Sequence, residues 1–196
     1  MAATPPSPAL CLPAMKRLSF LTACLGLLAC SATPPANWAK GGAPLEIPRA
    51  RWVFGTTAVE VVPDGKVIID GEHEMTIDRG GRVFDPDREP IALLEPDGRL
   101  IGNDEEAMGI VGALTASRPG EPHAWLSVAP SGEVIVYDDE GERHLAGVWI
   151  GCNATPRTHQ VCTLVSHMLA LRMRSAAERG EPSVGVGIGI GIGVGR

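Results

Sequence analysis

The fold class can be inferred from the stretch VVPDGKVIID, residues 61–70, because its pattern returns in LLEPDGRLIG (93–102) and SVAPSGEVIV (127–136). Each copy contains an apolar run, a turn that ends in glycine, a charged residue and a second apolar run. Glycine adopts positive φ without steric cost, and proline or aspartate fixes the turn positions before it. Each copy therefore predicts a β-hairpin.

The glycines that end these turns recur at a nearly constant spacing. They are Gly65, Gly81, Gly98 and Gly132. The last step is about twice the others, so we expect a degenerate copy near Thr115. Short β-branched runs joined by regular turns predict an antiparallel meander over residues 51–151, with one face packed against the core and the other exposed to solvent. The alternative is that common turn residues coincide by chance.

After residue 151 the apolar residues follow a helical period. Those at helical spacing are Val161, Leu164, Val165, Met168 and Leu171. Thr158 is the expected N-cap, and Gly180 with Pro182 ends the segment. We predict one C-terminal helix within residues 152–180, packed on the sheet. The fold class is then mainly β, an antiparallel hairpin meander with one C-terminal helix (α+β).

Two flanking segments lack a core-forming pattern. Residues 30–50 are rich in proline and predict a flexible tether, in which Trp38 either docks on the domain or rests at a membrane interface. Residues 181–196 are of low complexity, with glycine alternating with valine or isoleucine. Since glycine opposes order in a strand, we expect a frayed or weakly paired tail. The alternative use of this tail is strand addition to a partner.

An apolar run near the start of the chain, residues 18–29, has the features of an export signal. It is preceded by Lys16 and Arg17 and followed by small residues. The run is too short to cross a bilayer, which takes about 20 residues, but it suits a signal peptide that is removed. The alternatives are an ordinary secretory signal and a buried helix of the fold.

The residues Leu27-Leu28-Ala29-Cys30 resemble the lipobox of bacterial lipoprotein precursors. The resemblance implies that residues 1–29 are removed and that Cys30 receives a diacylglycerol. It also implies a protein held at the cell envelope, and Ser31 in place of aspartate implies the outer membrane, facing the periplasm or the exterior. The resemblance ends at about residue 31. Fourteen residues before Met15 depart from the family pattern, so we expect translation to begin at Met15.

The five cysteines divide into two groups. Those that leave with the signal or become acylated are Cys11, Cys24 and Cys30. Cys152 and Cys162 remain, and an oxidising compartment favours a disulfide between them. The alternative is a metal site that includes His159 or His167, although the spacing does not match the tight cysteine pairs of zinc sites.

Charge and motifs narrow the possible functions. The formal net charge is −6 and becomes more negative when the signal leaves, which argues against nucleic acid as a partner. The sequence contains no G-x-S-x-G, S-x-x-K, H-E-x-x-H or phosphate-loop motif. We therefore predict no catalytic residue, no metal site and no cofactor.

Two hypotheses for the function remain. The favoured one is a lipid-anchored cell-envelope protein, whose small non-catalytic β-rich domain presents a surface to another envelope component. Its partners would be the membrane, through the N-terminal lipid, and an envelope protein. The alternative is a periplasmic hydrolase or metal-dependent enzyme that uses His73, His123 or His144 with nearby acids. Each histidine is otherwise expected at the surface or partly packed.

Overall fold

The structure, a computed structural model, describes residues 32–179 and confirms the mainly β fold with one C-terminal helix. The predictions for the signal peptide (1–29), for Cys30 and for the tail (181–196) lie outside these residues. The first six strands are β1 (Ala50–Phe54), β2 (Thr57–Val61), β3 (Lys66–Ile69), β4 (Glu72–Ile77), β5 (Arg82–Phe84) and β6 (Pro90–Leu94). The remaining elements are β7 (Arg99–Gly102), a short 3-10 helix (Asn103–Glu105), β8 (Ala107–Val111), β9 (Thr115–Ser117), β10 (Ala124–Val128), β11 (Glu133–Tyr137), β12 (Arg143–Ile150) and helix α1 (Pro156–Glu178).

The twelve strands form a meander that closes into a barrel. Each strand pairs antiparallel with the next in sequence, and β12 pairs with β1 to complete the ring. In that pairing Trp52 lies opposite Trp149, and Val53 opposite Val148. Closure leaves no strand with an unpaired edge among the twelve, which removes the sites where another chain could add a strand.

The predicted glycine turns all lie at one end of the barrel. In a meander alternate turns share an end, so a repeat of two strands and two turns explains the spacing of the glycines. In each turn the glycine N–H donates to the carbonyl three residues earlier, as from Gly132 to Ala129 over 2.8 Å. The expected copy near Thr115 is a turn at the same end, where Gly112 N–H donates to Thr115 O. We call this end the glycine end.

The opposite end of the barrel holds the other set of loops. Besides the short turn between β1 and β2, these loops are residues 70–71, 85–89, 103–106, 118–123 and 138–142. They carry many more carboxylates than basic groups. We call this end the acidic end.

Helix α1 runs through the barrel from the glycine end to the acidic end. From Thr158 to Ala170 its residues are buried, apart from the half-buried Gln160. All twelve strands contribute buried apolar side chains to a single core cluster that includes the helix. The predicted packing of the helix on the sheet takes the form of enclosure, because the sheet closes around the helix.

The helix also begins earlier than predicted. Thr155, rather than Thr158, is the N-cap, and the two threonines form a reciprocal capping box. The hydroxyl of Thr155 accepts from the N–H of Thr158 at 3.1 Å, and the hydroxyl of Thr158 accepts from the N–H of Thr155 at 2.9 Å. Pro156 occupies the first helical position, where its missing N–H costs nothing.

Residues 33–49 pack against the outside of the barrel, and we call them the strap. The predicted flexible tether over residues 30–50 is therefore wrong for this part. The ring of Trp38 contacts that of Phe84 at a centroid distance of 5.0 Å, and the N–H of Ala43 donates to Leu94 O at 2.7 Å. Because the strap covers β6, Leu93 is fully buried although it faces away from the barrel interior.

Candidate functional site

The predicted disulfide between Cys152 and Cys162 is present. It joins the segment after β12 to the second turn of α1, and both cysteines are almost fully buried. The two histidines of the alternative metal site, His159 and His167, bind backbone carbonyls and not the two sulfurs. His159 donates from Nε2 to Val128 O at 2.9 Å, and His167 binds elsewhere in the barrel. The bridge therefore pins the entry of the helix at the glycine end.

Polar side chains of the buried helix bind backbone carbonyls of the barrel. Besides His159, Gln160 donates to Val111 O at 3.0 Å and Thr163 donates to Ala113 O at 2.8 Å. These bonds satisfy carbonyls at the glycine end that would otherwise be buried without partners. The helical spacing of the apolar residues does not indicate this role of the polar residues between them.

Inside the barrel, His167 forms hydrogen bonds with two partners on opposite sides of its ring. Its Nε2 lies 2.8 Å from Met108 O, which can only accept, and its Nδ1 lies 2.9 Å from the indole N–H of Trp125, which can only donate. The ring is thus the neutral tautomer with its proton on Nε2. Burial lowers the pKa of His167, which agrees with that state. The expectation that every histidine is exposed or only partly packed is wrong for His159 and His167.

A cleft of about 330 Å³ opens at the acidic end beside Trp125. It lies between the loop 118–123 and the turn 138–142. The guanidinium of Arg118 lies over the Trp125 ring at 5.7 Å and donates to Glu121 and Asp139 at 2.7 and 2.8 Å. Barrel closure and the exit of α1 bring these residues together, so no local sequence signal could have identified the cleft.

Two neighbouring carboxylates of the cleft are held in their ionised form. The hydrogen bond from His144 Nε2, 2.7 Å long, lowers the pKa of Asp138. Hydrogen bonds from Arg118 and Arg174 lower the pKa of Asp139. A carboxylate with a lowered pKa is a poor general base near neutral pH. Both carboxylates instead form hydrogen-bonded pairs with neighbouring basic side chains at the surface.

The three histidines of the enzyme hypothesis do not meet. His123 and His144 lie near the cleft, whereas His73 lies on β4 and bonds to Thr76 Oγ1 at 2.9 Å and to Met75 O. Within residues 32–179, no group of three or more histidine, cysteine, aspartate or glutamate side chains is arranged to hold a metal ion.

The outer face of β1 and β12 carries an exposed apolar stripe. Its members are Val53, Leu145, Val148 and Ile150. Leu145 and Ile150 are the most exposed, at 67% and 70%. The stripe follows β12 from near the acidic end to the glycine end. A stripe of this length can contact another macromolecule. Contiguous exposed apolar side chains of this kind are typical of interaction surfaces.

A second groove, of about 510 Å³, lies beside the loop 118–123 on the side of β7 and β8. Its apolar lining residues include Ile101, Ile110, Pro119 and Pro122. The charged groups at its rim are already paired, since Arg99 bonds to Asp97 and Arg118 to Glu121. The groove therefore offers apolar contact and no unpaired charge.

The part of the chain that the structure describes contains no helix with the length and hydropathy needed to cross a membrane. Comparison of the chain with models of known protein families, with curated proteins and with solved structures gave no match.

Proposed function

We propose that the chain is a lipid-anchored protein of the bacterial cell envelope, whose barrel domain binds another envelope component and has no catalytic role. The motif that ends at Cys30 carries this proposal. A basic start, a short apolar run and a cysteine coincide there with small residues on the C-terminal side, which is the arrangement that signals lipidation in lipoprotein precursors. Two or more acyl chains then anchor the protein firmly, since each buried CH₂ contributes about 0.8 kcal/mol.

The disulfide supports an exported protein. Disulfides persist in oxidising compartments such as the periplasm and are rare in the cytosol. Cys152 and Cys162 are paired and buried, so the domain is built for a compartment in which thiols oxidise. No other cysteine lies within residues 32–179.

The interior of the barrel supports a role for its outer surface. Helix α1 fills the space in which a barrel would hold a small ligand, and its polar groups already bind the barrel backbone. The surfaces left for a partner are on the outside. Among these the apolar stripe on β1 and β12 contains the two most exposed large aliphatic side chains of the described residues, Leu145 and Ile150, and we assign partner binding to it.

Lipidation is tested with Cys30→Ala in cells that are fed a fatty-acid probe. We expect the variant to lose the label and to leave the membrane fraction, while Cys24→Ala, inside the signal, keeps both. Retention of label in the Cys30→Ala variant would disprove lipidation at this residue. In a protein that keeps Cys30, the substitution Ser31→Asp should shift the protein from the outer to the inner membrane.

Partner binding is tested with a photo-reactive residue placed at Val148 or, as a control, at the exposed Asp64 of the glycine end. Irradiation of intact cells should join the Val148 protein to one envelope component. The same adduct should disappear when Leu145→Ser and Ile150→Ser are added. Adducts of equal yield from both positions would contradict a specific role of the stripe.

A further inference from the structure

We propose that the acidic end of the barrel faces the bilayer, because the lipid-bearing Cys30 precedes the first docked residue at this end, Thr33, by only three positions. The inference rests on the proposed function, because it requires lipid at Cys30. It adds an orientation, and thereby separates the surfaces of the domain that face the membrane from those open to a partner.

The strap begins at the acidic end and is held there by two carboxylates. Thr33 and Asp104 form a reciprocal pair, in which Thr33 N–H donates to Asp104 Oδ1 at 3.0 Å and Asp104 N–H donates to Thr33 O at 2.8 Å. The N–H of Ala36 donates to Glu105 Oε1 at 2.6 Å. Both acids have positive φ, 54° and 60°, a conformation that non-glycine residues adopt only when their surroundings hold it.

Beyond this clamp the strap is fixed along its whole length. The side-chain amide of Asn37 donates to Glu95 at 2.8 Å, and Arg82 donates from Nε to Trp38 O at 2.7 Å. The strap thus runs along the outside of the barrel from the acidic end to the start of β1 at the glycine end. None of residues 33–49 is left to act as a free spacer between lipid and domain.

The covalent distance from the lipid to the clamp is therefore short. Cys30 precedes Thr33 by three residues, which span at most about 11 Å when fully extended. The glycine end lies farther from the clamp, because a strand of eight residues such as β12 covers about 26 Å. With the acyl chains in the bilayer, the link keeps the acidic end near the headgroups, whereas the glycine end can lie about 26 Å farther away.

The charge of this end indicates that the covalent link, and not attraction, sets the orientation. Exposed carboxylates of its loops include Asp87, Glu89, Asp104, Glu105, Asp139 and Glu140. Anionic headgroups repel such a surface within a Debye length of about 10 Å. The covalent link should therefore hold the barrel upright, with its acidic end toward the bilayer but not inserted in it. The apolar stripe on the side of the barrel then remains accessible to a neighbouring envelope protein.

The test uses the purified lipidated protein in phosphatidylcholine vesicles that contain a lipid with a nitroxide on its headgroup. A fluorophore is attached to Asp87→Cys at the acidic end or to Ser131→Cys at the glycine end, without reductant, so that the buried disulfide stays intact. We expect quenching at residue 87 to exceed quenching at residue 131 several-fold. Equal quenching, or stronger quenching at residue 131, would overturn the orientation.

Two variants separate the short link from other causes. A flexible Gly-Ser insertion between Ala32 and Thr33 should reduce the difference, and an unchanged difference would overturn the role of the link. A chain that ends after Arg179, and so lacks the uncharged residues 182–195, should keep the difference, because the link sets the orientation. Loss of the difference would assign the orientation to the tail. Mass spectrometry of Cys30 distinguishes the failures, because an unacylated cysteine refutes the proposed function as well, whereas an acylated protein with equal quenching refutes only the orientation.

Discussion

The indole nitrogen of Trp125 donates a hydrogen bond of 2.9 Å to Nδ1 of His167, in the interior of the barrel. The other ring nitrogen of His167 donates to Met108 O, so the two partners admit only the neutral ring. Protonation of Nδ1 would direct its new hydrogen at the N–H of Trp125. This pair joins β10 to α1 and links the charged cleft, through Arg118 over the same indole, to the buried helix.

We expect the domain to lose stability as the pH falls below the ordinary pKa of histidine, 6.5. The pKa of His167 is lowered in the folded state by burial, so between its folded and unfolded values only the unfolded chain binds the proton. The stabilisation is fully present above about pH 6.5 and is lost as the pH falls toward the folded pKa, with a slope of at most about 1.4 kcal/mol per pH unit. Urea unfolding at several pH values measures it.

The control for this effect is a pair of glutamine variants. His167→Gln keeps one donor and one acceptor but cannot titrate, so its stability should change much less between about pH 7 and pH 5. His123→Gln, at an exposed position, should follow the wild-type curve. The lowered pKa values of Asp138 and Asp139 act only at lower pH. Parallel curves for wild type and His167→Gln would show that His167 does not cause the acid sensitivity.

The hairpins could be predicted from the sequence because each turn is encoded locally. Gly132, for example, has a φ of 94° in a turn of four residues, and the pattern around it contains all the information that the turn needs. Closure of the barrel depends instead on the pairing of Trp52 with Trp149, which lie far apart in sequence and show no local signal. The enclosed helix follows from closure, so it was missed for the same reason.

The strap was missed because proline-rich composition predicts an extended chain but not whether that chain is docked. One signal was present in β6. The run from Ile91 to Leu94 is apolar at every position, which is typical of a strand that is buried on both faces. Leu93 needs a cover on the outside of the barrel, and the strap provides it.

We expect the disulfide to contribute about 2 to 3 kcal/mol to the free energy of unfolding, on the chain-entropy estimate for its short loop. Cys152 and Cys162 are ten positions apart, and the bridge restricts the unfolded chain. The double variant Cys152→Ala/Cys162→Ala should unfold at a correspondingly lower urea concentration. Reductant should lower the stability of the wild type and leave that of the double variant unchanged. An equal response of both proteins to reductant would contradict a stabilising bridge.

The strap should depend on Arg82, whose guanidinium donates to Trp38 O, to Ala39 O and to Asp78. Arg82→Ala removes these bonds, and we expect the free energy of unfolding to fall by about 1 to 3 kcal/mol. Trypsin cleavage after the exposed Lys40 should become several-fold faster. Gel electrophoresis and mass spectrometry of the fragments measure the rate.

The comparison for the strap is Arg51→Ala. Arg51 forms only an exposed ion pair with Glu60 at 3.8 Å, and pairs of this kind contribute between about 0 and 1 kcal/mol. This variant should leave cleavage after Lys40 at the wild-type rate. If both arginine variants are cleaved equally fast, the strap is not held by Arg82.

The glycine turns allow steric contact to be separated from backbone conformation. Gly132 and Gly141 both end four-residue turns, with φ of 94° and 83°. A Cβ at Gly132 would lie 2.0 Å from Trp149 O, whereas a Cβ at Gly141 would have no neighbour within 4 Å. Gly141→Ala should therefore cost only the left-handed conformation, about 1 to 2 kcal/mol. Gly132→Ala should cost about 3 kcal/mol or more, because the strand ladder must also move. If urea unfolding shows the same loss of stability for both variants, the left-handed conformation alone, and not the contact with β12, explains why position 132 requires glycine.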